Sequence, residues 1–228
     1  MVSGANRGIG AAVAKRLHSA GFSLSLGVRS HSERERLASA HAGERTLVTP
    51  YDAVYPQSAK AWVESTYQKF KRIDGVVNVA GVLRSFDFEA DDEAILDELL
   101  DVNLKGPLRV MRYAFPYLRQ SGSGRVVNIV SLSGLRVKGR SSGYAISKFA
   151  FQGLSQAVRF AGWEHGIRVS SLCPGFVNTD MVSHVDAVAP EDMTQPETIA
   201  EAVLLLLNLP NNASIATLPI NCVLEGTY

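Results

Sequence analysis

The sequence has little of several features that mark special classes of protein. Cys173 and Cys222 are its only cysteines among 228 residues, too few for a disulfide framework, and neither stands in a metal-ligand pattern. The formal net charge of +1 gives no reason to expect a nucleic-acid partner or a membrane surface. Apolar runs such as residues 203–207 fall far short of the ~20 residues that span a bilayer. We therefore expect two reduced thiols, no metal site, no nucleic-acid partner and no membrane span.

The opening residues also lack the charged-then-apolar pattern of a secretory signal, and so we expect a cytoplasmic protein. What is present is an ordinary folded composition, with 46% hydrophobic and 20% charged residues. No internal repeat, low-complexity tract or linker divides the sequence. We therefore predict a single domain over residues 1–228.

The middle of the sequence carries the side chains that most suggest chemistry. A β-branched apolar run at 126–130 predicts a buried strand that ends in a loop containing Ser131 and Ser133. Tyr144 and Lys148 follow, four residues apart in a helical pattern, so they share one helix face. A fixed ammonium favours the phenolate, so we expect Lys148 to lower the tyrosine pKa from about 10. With a serine hydroxyl beside them, these groups would move a proton on or off a carbonyl or alcohol oxygen. Alone, the Tyr-x-x-x-Lys spacing is weak, since any amphipathic helix can carry it.

A glycine-rich turn near the start predicts a phosphate site. Gly4, Gly8 and Gly10 precede a helix-forming run that ends at Gly21. Such a turn offers backbone N–H groups and the positive end of a helix dipole to a phosphate. Glycine lets a pyrophosphate approach the backbone, although a plain glycine turn is the alternative interpretation. A dinucleotide fold needs a full strand before this turn, and only two residues precede Ser3. We expect either an unusually short strand or missing N-terminal residues.

The end of the second predicted strand, at residues 22–28, bears on the choice of cofactor. An acid at this position takes the ribose hydroxyls of NAD, whereas an arginine suits the 2′-phosphate of NADP. No acid stands at residues 27–32, but Arg29 does, and Arg7 lies in the glycine turn. Two guanidiniums converging on the ribose would favour NADP, because their forks match phosphate oxygens. The alternative is two solvated arginines.

The remaining sequence alternates strand-like and helix-like segments. Such alternation predicts a parallel sheet with helices on both faces. A long helical pattern at 91–117 contains Asn103 and is interrupted at Gly106-Pro107. The predicted strands are 46–52, 73–79, 167–172 and 215–223; the other predicted helices are 32–40, 58–70 and 196–207; and an irregular segment covers 181–196.

Taken together, these residues resemble the short-chain dehydrogenase/reductase family, in its single-domain branch, over nearly the whole sequence. Ser131 stands thirteen residues before Tyr144 and Lys148 four residues after it, which is similar to the family's catalytic spacing. The other matching motifs are Gly4-Ala-Asn-Arg-Gly-Ile-Gly10 with Ser3 in place of threonine, Asn78-Val-Ala-Gly81 with Val79 in place of asparagine, Val-Asn103-Leu-Lys-Gly, Asn128-Ile-Val-Ser131 and Pro174-Gly-Phe-Val-Asn-Thr179.

The resemblance implies a Rossmann-like, doubly wound α/β fold of three layers, α/β/α. It also implies an oxidoreductase that transfers hydride between NADP(H) and a carbonyl or secondary alcohol. Tyr144 would be the general acid/base, Ser131 would orient the substrate oxygen, and Asn103 would hold a water linked to Lys148. The expected cofactor residues are Gly4, Asn6, Arg7, Gly8, Ile9, Gly10, Arg29, Asp52, Asn78, Ala80, Gly81, Tyr144, Lys148, Pro174, Gly175, Val177 and Thr179.

Two departures and two alternatives accompany the resemblance. The first strand is short, and residues 221–228 lack the family's frequent closing D-G-G. A catalytically silent NADP-binding sensor or scaffold would keep the glycine turn, and an epimerase or dehydratase would share the Tyr-x-x-x-Lys pair. We expect the small-molecule substrate to be selected by residues 83–88, 135–140 and 181–196. By resemblance alone, we expect a homotetramer or homodimer.

Overall fold

The computed structural model describes residues 1–40, 43–89, 92–139, 142–183 and 185–225. Across these residues seven strands form one parallel sheet: β1 (Val2–Ser3), β2 (Leu24–Val28), β3 (Thr46–Pro50), β4 (Gly75–Asn78), β5 (Arg125–Ile129), β6 (Arg168–Pro174) and β7 (Thr217–Ile220). Their order in the sheet is β3-β2-β1-β4-β5-β6-β7. The predicted fold class, a Rossmann-like doubly wound parallel sheet, is confirmed. The last predicted strand, 215–223, is too long, because residues 221–225 leave the sheet.

Helices cover both faces of the sheet. Residues Val77 and Val127 belong to one apolar cluster, and their neighbours Val76 and Val126 belong to a second cluster. This is the alternation that a strand imposes on its side chains. The helices within the described residues are α1 (Gly8–Ser19), α2 (His31–Ala40), α3 (Pro56–Phe70), α4 (Ala94–Leu100), α5 (Gly106–Gln120), α6 (Ser142–Gly162) and α7 (Pro196–Asn208). The first cluster includes side chains of α1 and α7, and the second includes side chains of α3, α5 and α6.

The centre of the sheet is a topological switch point. The chain moves outward from β1 to β3 and then returns to place β4 on the other side of β1. In such sheets the crevice at the carboxyl ends of the two central strands is where ligands bind. The first strand is short, and Val2 pairs with Leu26 on one side and Val77 on the other. The Ser3 hydroxyl accepts hydrogen bonds from the Val79 and Ala80 N–H groups at 2.9 and 3.1 Å, which ties the ends of β1 and β4 together.

The predicted helix at 91–117 was expected to be interrupted at Gly106-Pro107, but the structure divides it a few residues earlier. A five-residue π-helical turn, Asp101–Lys105, joins α4 to α5, and Gly106 and Pro107 begin α5 instead of breaking it. The reason is that a proline is tolerated in the first turn of a helix, where its missing N–H costs least. Residue 91 lies outside the described residues. The π-turn contains Asn103, and such turns are frequent at functional sites.

Of the helices that the structure describes, none is long and apolar enough to cross a membrane. Within the same residues, no group of three or more histidine, cysteine, aspartate or glutamate side chains is arranged to hold a metal ion. Both cysteines are free thiols, Cys173 buried and Cys222 partly exposed.

Candidate active site

The loop that follows β5 places a serine at the carboxyl edge of the sheet. The Val130 N–H donates to the Leu172 carbonyl at 2.8 Å, so the chain stays beside β6 up to this point. Ser131 then adopts φ 152°, a value that residues other than glycine rarely take. Backbone strain of this kind persists where the surroundings enforce it, and it concentrates at active sites. The Ser131 hydroxyl accepts the Ser133 N–H at 3.0 Å, so Ser133 supports Ser131.

The phenol of Tyr144 faces this serine. Burial raises the Tyr144 pKa to about 12, because the phenolate loses hydration, while hydrogen bonding to Ser131 acts in the opposite direction. This corrects the expectation that Lys148 would bring the tyrosine pKa below 10. The Lys148 Nζ lies 5.7 Å from the centre of the phenol ring and donates to the Ile129 carbonyl at 3.0 Å. Burial is the larger effect on the Tyr144 pKa, and the hydrogen bond to Ser131 only partly offsets it.

The same burial acts on the lysine. Lys148 is 6% exposed, and its pKa is lowered to about 8 because desolvation disfavours the ammonium; the nearby Cys173 acts in the opposite direction. The pair is therefore a protonated phenol beside an amine that titrates near neutral pH.

Asn103 is fixed at the same place by the π-turn. It is 1% exposed, and its carboxamide is bonded on both sides to the backbone of Val82. Its Oδ1 accepts the Val82 N–H at 2.9 Å, and its Nδ2 donates to the Val82 carbonyl at 3.0 Å. A Cβ placed on Gly81 would lie 3.1 Å from Asn103 Oδ1 and 3.8 Å from Lys148 Nζ. The carboxamide and the ammonium thus border the same small space. The structure brings all four residues predicted as catalytic into one cluster.

The glycine turn has the form of an anion site. Gly4 and Gly8 have φ of 64° and 50°, values that suit glycine. The N-terminus of α1 has no side-chain cap from Arg7 and no acidic residue in its first turn. Its N–H groups and dipole therefore remain available to an anion, as a dinucleotide pyrophosphate requires. Ala80 packs against this turn, with its Cα 3.0 Å from where a Cβ on Gly4 would stand.

Arginines gather beside the turn, more of them than the sequence suggested. Arg36 donates to the Asn6 carbonyl at 2.7 Å, and Arg34 donates to the Arg29 carbonyl at 2.8 Å. Sequence reasoning named Arg7 and Arg29 but missed these two residues on α2, although they follow Arg29 closely. Arg7 itself lies 3.4 Å from Asp180 in an ion pair whose side chains are both largely exposed.

Two of the predicted cofactor residues have other partners. Asn78 is 1% exposed and donates to the Asn128 side chain at 2.8 Å, on the side of the sheet that faces α5 and α6. The structure therefore does not bring the Asn78 side chain to the crevice. Asp52 lies at the end of β3, where its Oδ1 accepts the Val54 N–H at 3.1 Å.

The segment after β6 crosses over the glycine turn. The Gly175 N–H donates to the Ile220 carbonyl at 2.8 Å, and Val177 pairs with Thr194. Thr179 then reaches back, and its methyl group would lie 3.1 Å from a Cβ on Gly8. Of the predicted cofactor residues in this segment, Thr179 therefore lies beside the glycine turn, whereas Pro174 ends β6 and Val177 is buried in the first apolar cluster.

Comparison with known proteins identifies the family. Residues 1–189 match the family model described as short chain dehydrogenase, and the chain belongs to that family of oxidoreductases. It is 37% identical over its whole length to an agropine synthesis reductase of Rhizobium rhizogenes, and it spans about half of that protein, 53%. It is 31% identical to an uncharacterized oxidoreductase of Staphylococcus saprophyticus, covering 94% of this chain and 93% of the relative.

A solved structure has the same fold over almost the whole length of both chains. It is an alcohol dehydrogenase from the archaeon Thermococcus sibiricus, complexed with 5-hydroxy-NADP. Its TM-score is 0.88 at 28% identity, covering 98% of this chain and 96% of that chain.

Proposed function

We propose that this chain is an NADP-dependent oxidoreductase that transfers hydride between NADP(H) and a small carbonyl compound or secondary alcohol. The observation that carries the proposal is the convergence of Asn103, Ser131, Tyr144 and Lys148 at the switch-point crevice, next to an uncapped helix N-terminus. Family membership supports oxidoreductase chemistry, and the two named reductase and dehydrogenase relatives support its type.

The protein residues would divide the work of proton transfer. NADPH, when bound, supplies the hydride. Tyr144 would donate its proton to the carbonyl oxygen. Burial raises its pKa to about 12, so the phenol holds that proton at neutral pH. Ser131 holds that oxygen through its hydroxyl. Lys148 would bind the nicotinamide ribose hydroxyls and stabilise the phenolate that forms, while Asn103 would hold a water through which the proton returns to Tyr144. In the direction of alcohol oxidation the phenolate is the base, so a higher pH favours that direction.

The arginines support NADP over NAD. No acidic side chain stands at residues 27–32, the usual position for binding ribose hydroxyls. Arg7 and Arg29 would take the 2′-phosphate, with Arg34 and Arg36 adding positive charge beside them. The first acid on α2, Glu33, pairs with Arg36 at 2.6 Å and so is already engaged.

Contacts of two of the segments expected to select the substrate support this role for them. Arg136 forms two 2.7 Å hydrogen bonds with Glu225, which joins the loop after Ser131 to the segment after β7. The Ser142 N–H donates to the Phe86 carbonyl at 3.1 Å, which joins a second predicted segment to the start of α6. Residues 140 and 184 lie outside the described part of the chain. We propose a small-molecule substrate held among these segments.

The assembly and location remain proposals. We propose a homodimer or homotetramer, since Ile146, Phe149 and Phe160 on α6 are exposed apolar side chains, with Phe160 89% exposed. Light scattering of the purified protein would measure its mass. A cytoplasmic location stays an expectation from the sequence. A silent NADP-binding sensor is not favoured, because such a protein has no use for the complete set of four residues.

The first test separates cofactor binding from chemistry. Fluorescence titration with NADPH and NADH should show tighter binding of NADPH, and Arg29→Ala should weaken NADPH by about tenfold without affecting NADH. Turnover is then followed as NADPH oxidation with a panel of small ketones and aldehydes. Tyr144→Phe should bind NADPH normally and lose on the order of 100- to 10,000-fold in kcat.

Tyr67→Phe is the matched control, because Tyr67 stacks on Tyr117 between α3 and α5, away from the crevice. It should keep wild-type kcat. Wild-type turnover in Tyr144→Phe would exclude Tyr144 as the acid, and binding of NADPH without turnover of any carbonyl would favour the silent binding protein.

A further inference from the structure

We propose that Ser147 is a positioning residue that fixes the carboxamide of Asn103 beside the catalytic lysine. The inference rests on the proposed function, since it assigns a role within the same reaction. Ser147 is 0% exposed and lies on α6 between Tyr144 and Lys148. Nothing in the sequence pattern distinguishes it from an ordinary buried serine on the packed face of a helix.

The hydrogen bonds of Ser147 join two elements of the active site. Its hydroxyl donates to the Tyr144 carbonyl at 2.8 Å, which orients the oxygen lone pairs. The same oxygen accepts a hydrogen bond from Asn103 Nδ2 at 3.1 Å. With the two bonds to Val82, the carboxamide of Asn103 has a partner for each of its N–H groups. Of the three hydrogen bonds of the Asn103 carboxamide, only the one to Ser147 comes from α6, the helix that carries Tyr144 and Lys148.

The position of the Asn103 carboxamide matters because it lies close to the Lys148 ammonium. Its Oδ1 and the Lys148 Nζ both border the space beside Gly81. Without the Ser147 hydroxyl, a buried amide N–H would have no acceptor, and Asn103 would move to satisfy it.

A second serine on α6 provides a close control. Ser155 is 2% exposed, donates to the Phe151 carbonyl at 2.8 Å and accepts from Asn128 Nδ2 at 2.8 Å. It has the same residue type, helix, burial and bonding pattern as Ser147, but it lies two turns away from Lys148. Ser147→Ala and Ser155→Ala therefore remove the same kind of interaction, and only the first is expected to affect catalysis.

The kinetic test compares these variants with a ketone that the wild type reduces. Ser147→Ala should lower kcat by about tenfold while the NADPH dissociation constant changes less than twofold. Ser155→Ala should keep wild-type kcat, whatever its effect on thermal stability. If Ser147 acts through Asn103, adding Ser147→Ala to Asn103→Ala should cost little more, so the two effects should not add.

A second measurement does not depend on activity. The Val82 amide is protected by Asn103 Oδ1, so its hydrogen exchange, followed by NMR, reports the position of the carboxamide. Ser147→Ala should speed exchange at Val82 by about tenfold, and Ser155→Ala should not. Unchanged exchange in Ser147→Ala would overturn the inference, whatever the kinetics show. If the wild type binds NADPH and reduces no carbonyl, the proposed function fails, while the Val82 amide still decides the role of Ser147.

Discussion

Raising the pH through about 8 is expected to slow carbonyl reduction, because Lys148 loses its proton there. Burial lowers the Lys148 pKa to about 8 and raises the Tyr144 pKa to about 12. The proposed reaction needs the ammonium, which stabilises the phenolate that forms as Tyr144 gives up its proton. The tyrosine itself stays protonated well beyond pH 10. The alkaline limb of the pH profile should therefore belong to the lysine.

The size of the effect follows from the position of that pKa. The value of kcat/KM reports the groups of the free protein, which are the ones described by this structure, when NADPH and the ketone are both at low concentration. One pH unit above its pKa, about a tenth of a group remains protonated, so kcat/KM at pH 9 should be roughly tenfold below its plateau. A lysine with the ordinary pKa of about 10.4 would leave the rate at pH 9 almost unchanged.

The assay is NADPH oxidation at low concentrations of both NADPH and a reducible ketone, from pH 6 to pH 10. Lys148→Arg provides the control, because a guanidinium keeps its charge throughout this range. Its rate should be lower, but the alkaline limb near pH 8 should disappear. A limb that remains in Lys148→Arg, or a wild-type rate that stays flat up to pH 10, would refute the assignment to Lys148.

Two further predictions concern the cofactor site. Gly10→Ala would place a Cβ against the Gly4 carbonyl oxygen. Thermal denaturation should therefore show a loss of about 1–3 kcal/mol in the free energy of unfolding. The control is Gly153→Ala on α6, whose Cβ would meet open space, and it should be neutral or stabilising. Equal stability of the two variants would contradict this reasoning. Asp180→Asn should free Arg7 from its ion pair and tighten NADPH binding without changing NADH binding. The gain should be only a few-fold, because an exposed ion pair is weak. Weaker NADPH binding in this variant would contradict the prediction.

The fold could be predicted because its signals are local. Most strands are short apolar runs and most helices have their own apolar periodicity, so the alternation of the two implies a parallel sheet covered on both faces. Trp62, within the predicted helix at 58–70, is 0% exposed and belongs to the second apolar cluster. The glycine turn, Arg7 and Arg29 could also be named in advance. The glycines precede a helix-forming run, and the two arginines lie in the turn and at the end of the second predicted strand, so these features are visible in the sequence itself.

The tertiary structure decided what depends on contacts between distant segments. Spacing placed Tyr144 beside Lys148, but the sign of the tyrosine pKa shift depends on how much water surrounds the phenol, which no spacing records. Ser147 gains its proposed role only because the π-turn brings Asn103 within 3.1 Å of it, 44 residues away along the chain. Asn78 matched a motif, yet its side chain turns toward Asn128, because register in the sheet decides which face a strand residue occupies. The sequence alone thus determined the sheet, most of its helices and the residues proposed to carry the chemistry. Burial and hydrogen bonding in the folded chain determined how those residues are charged and oriented, because both depend on groups that only folding brings together.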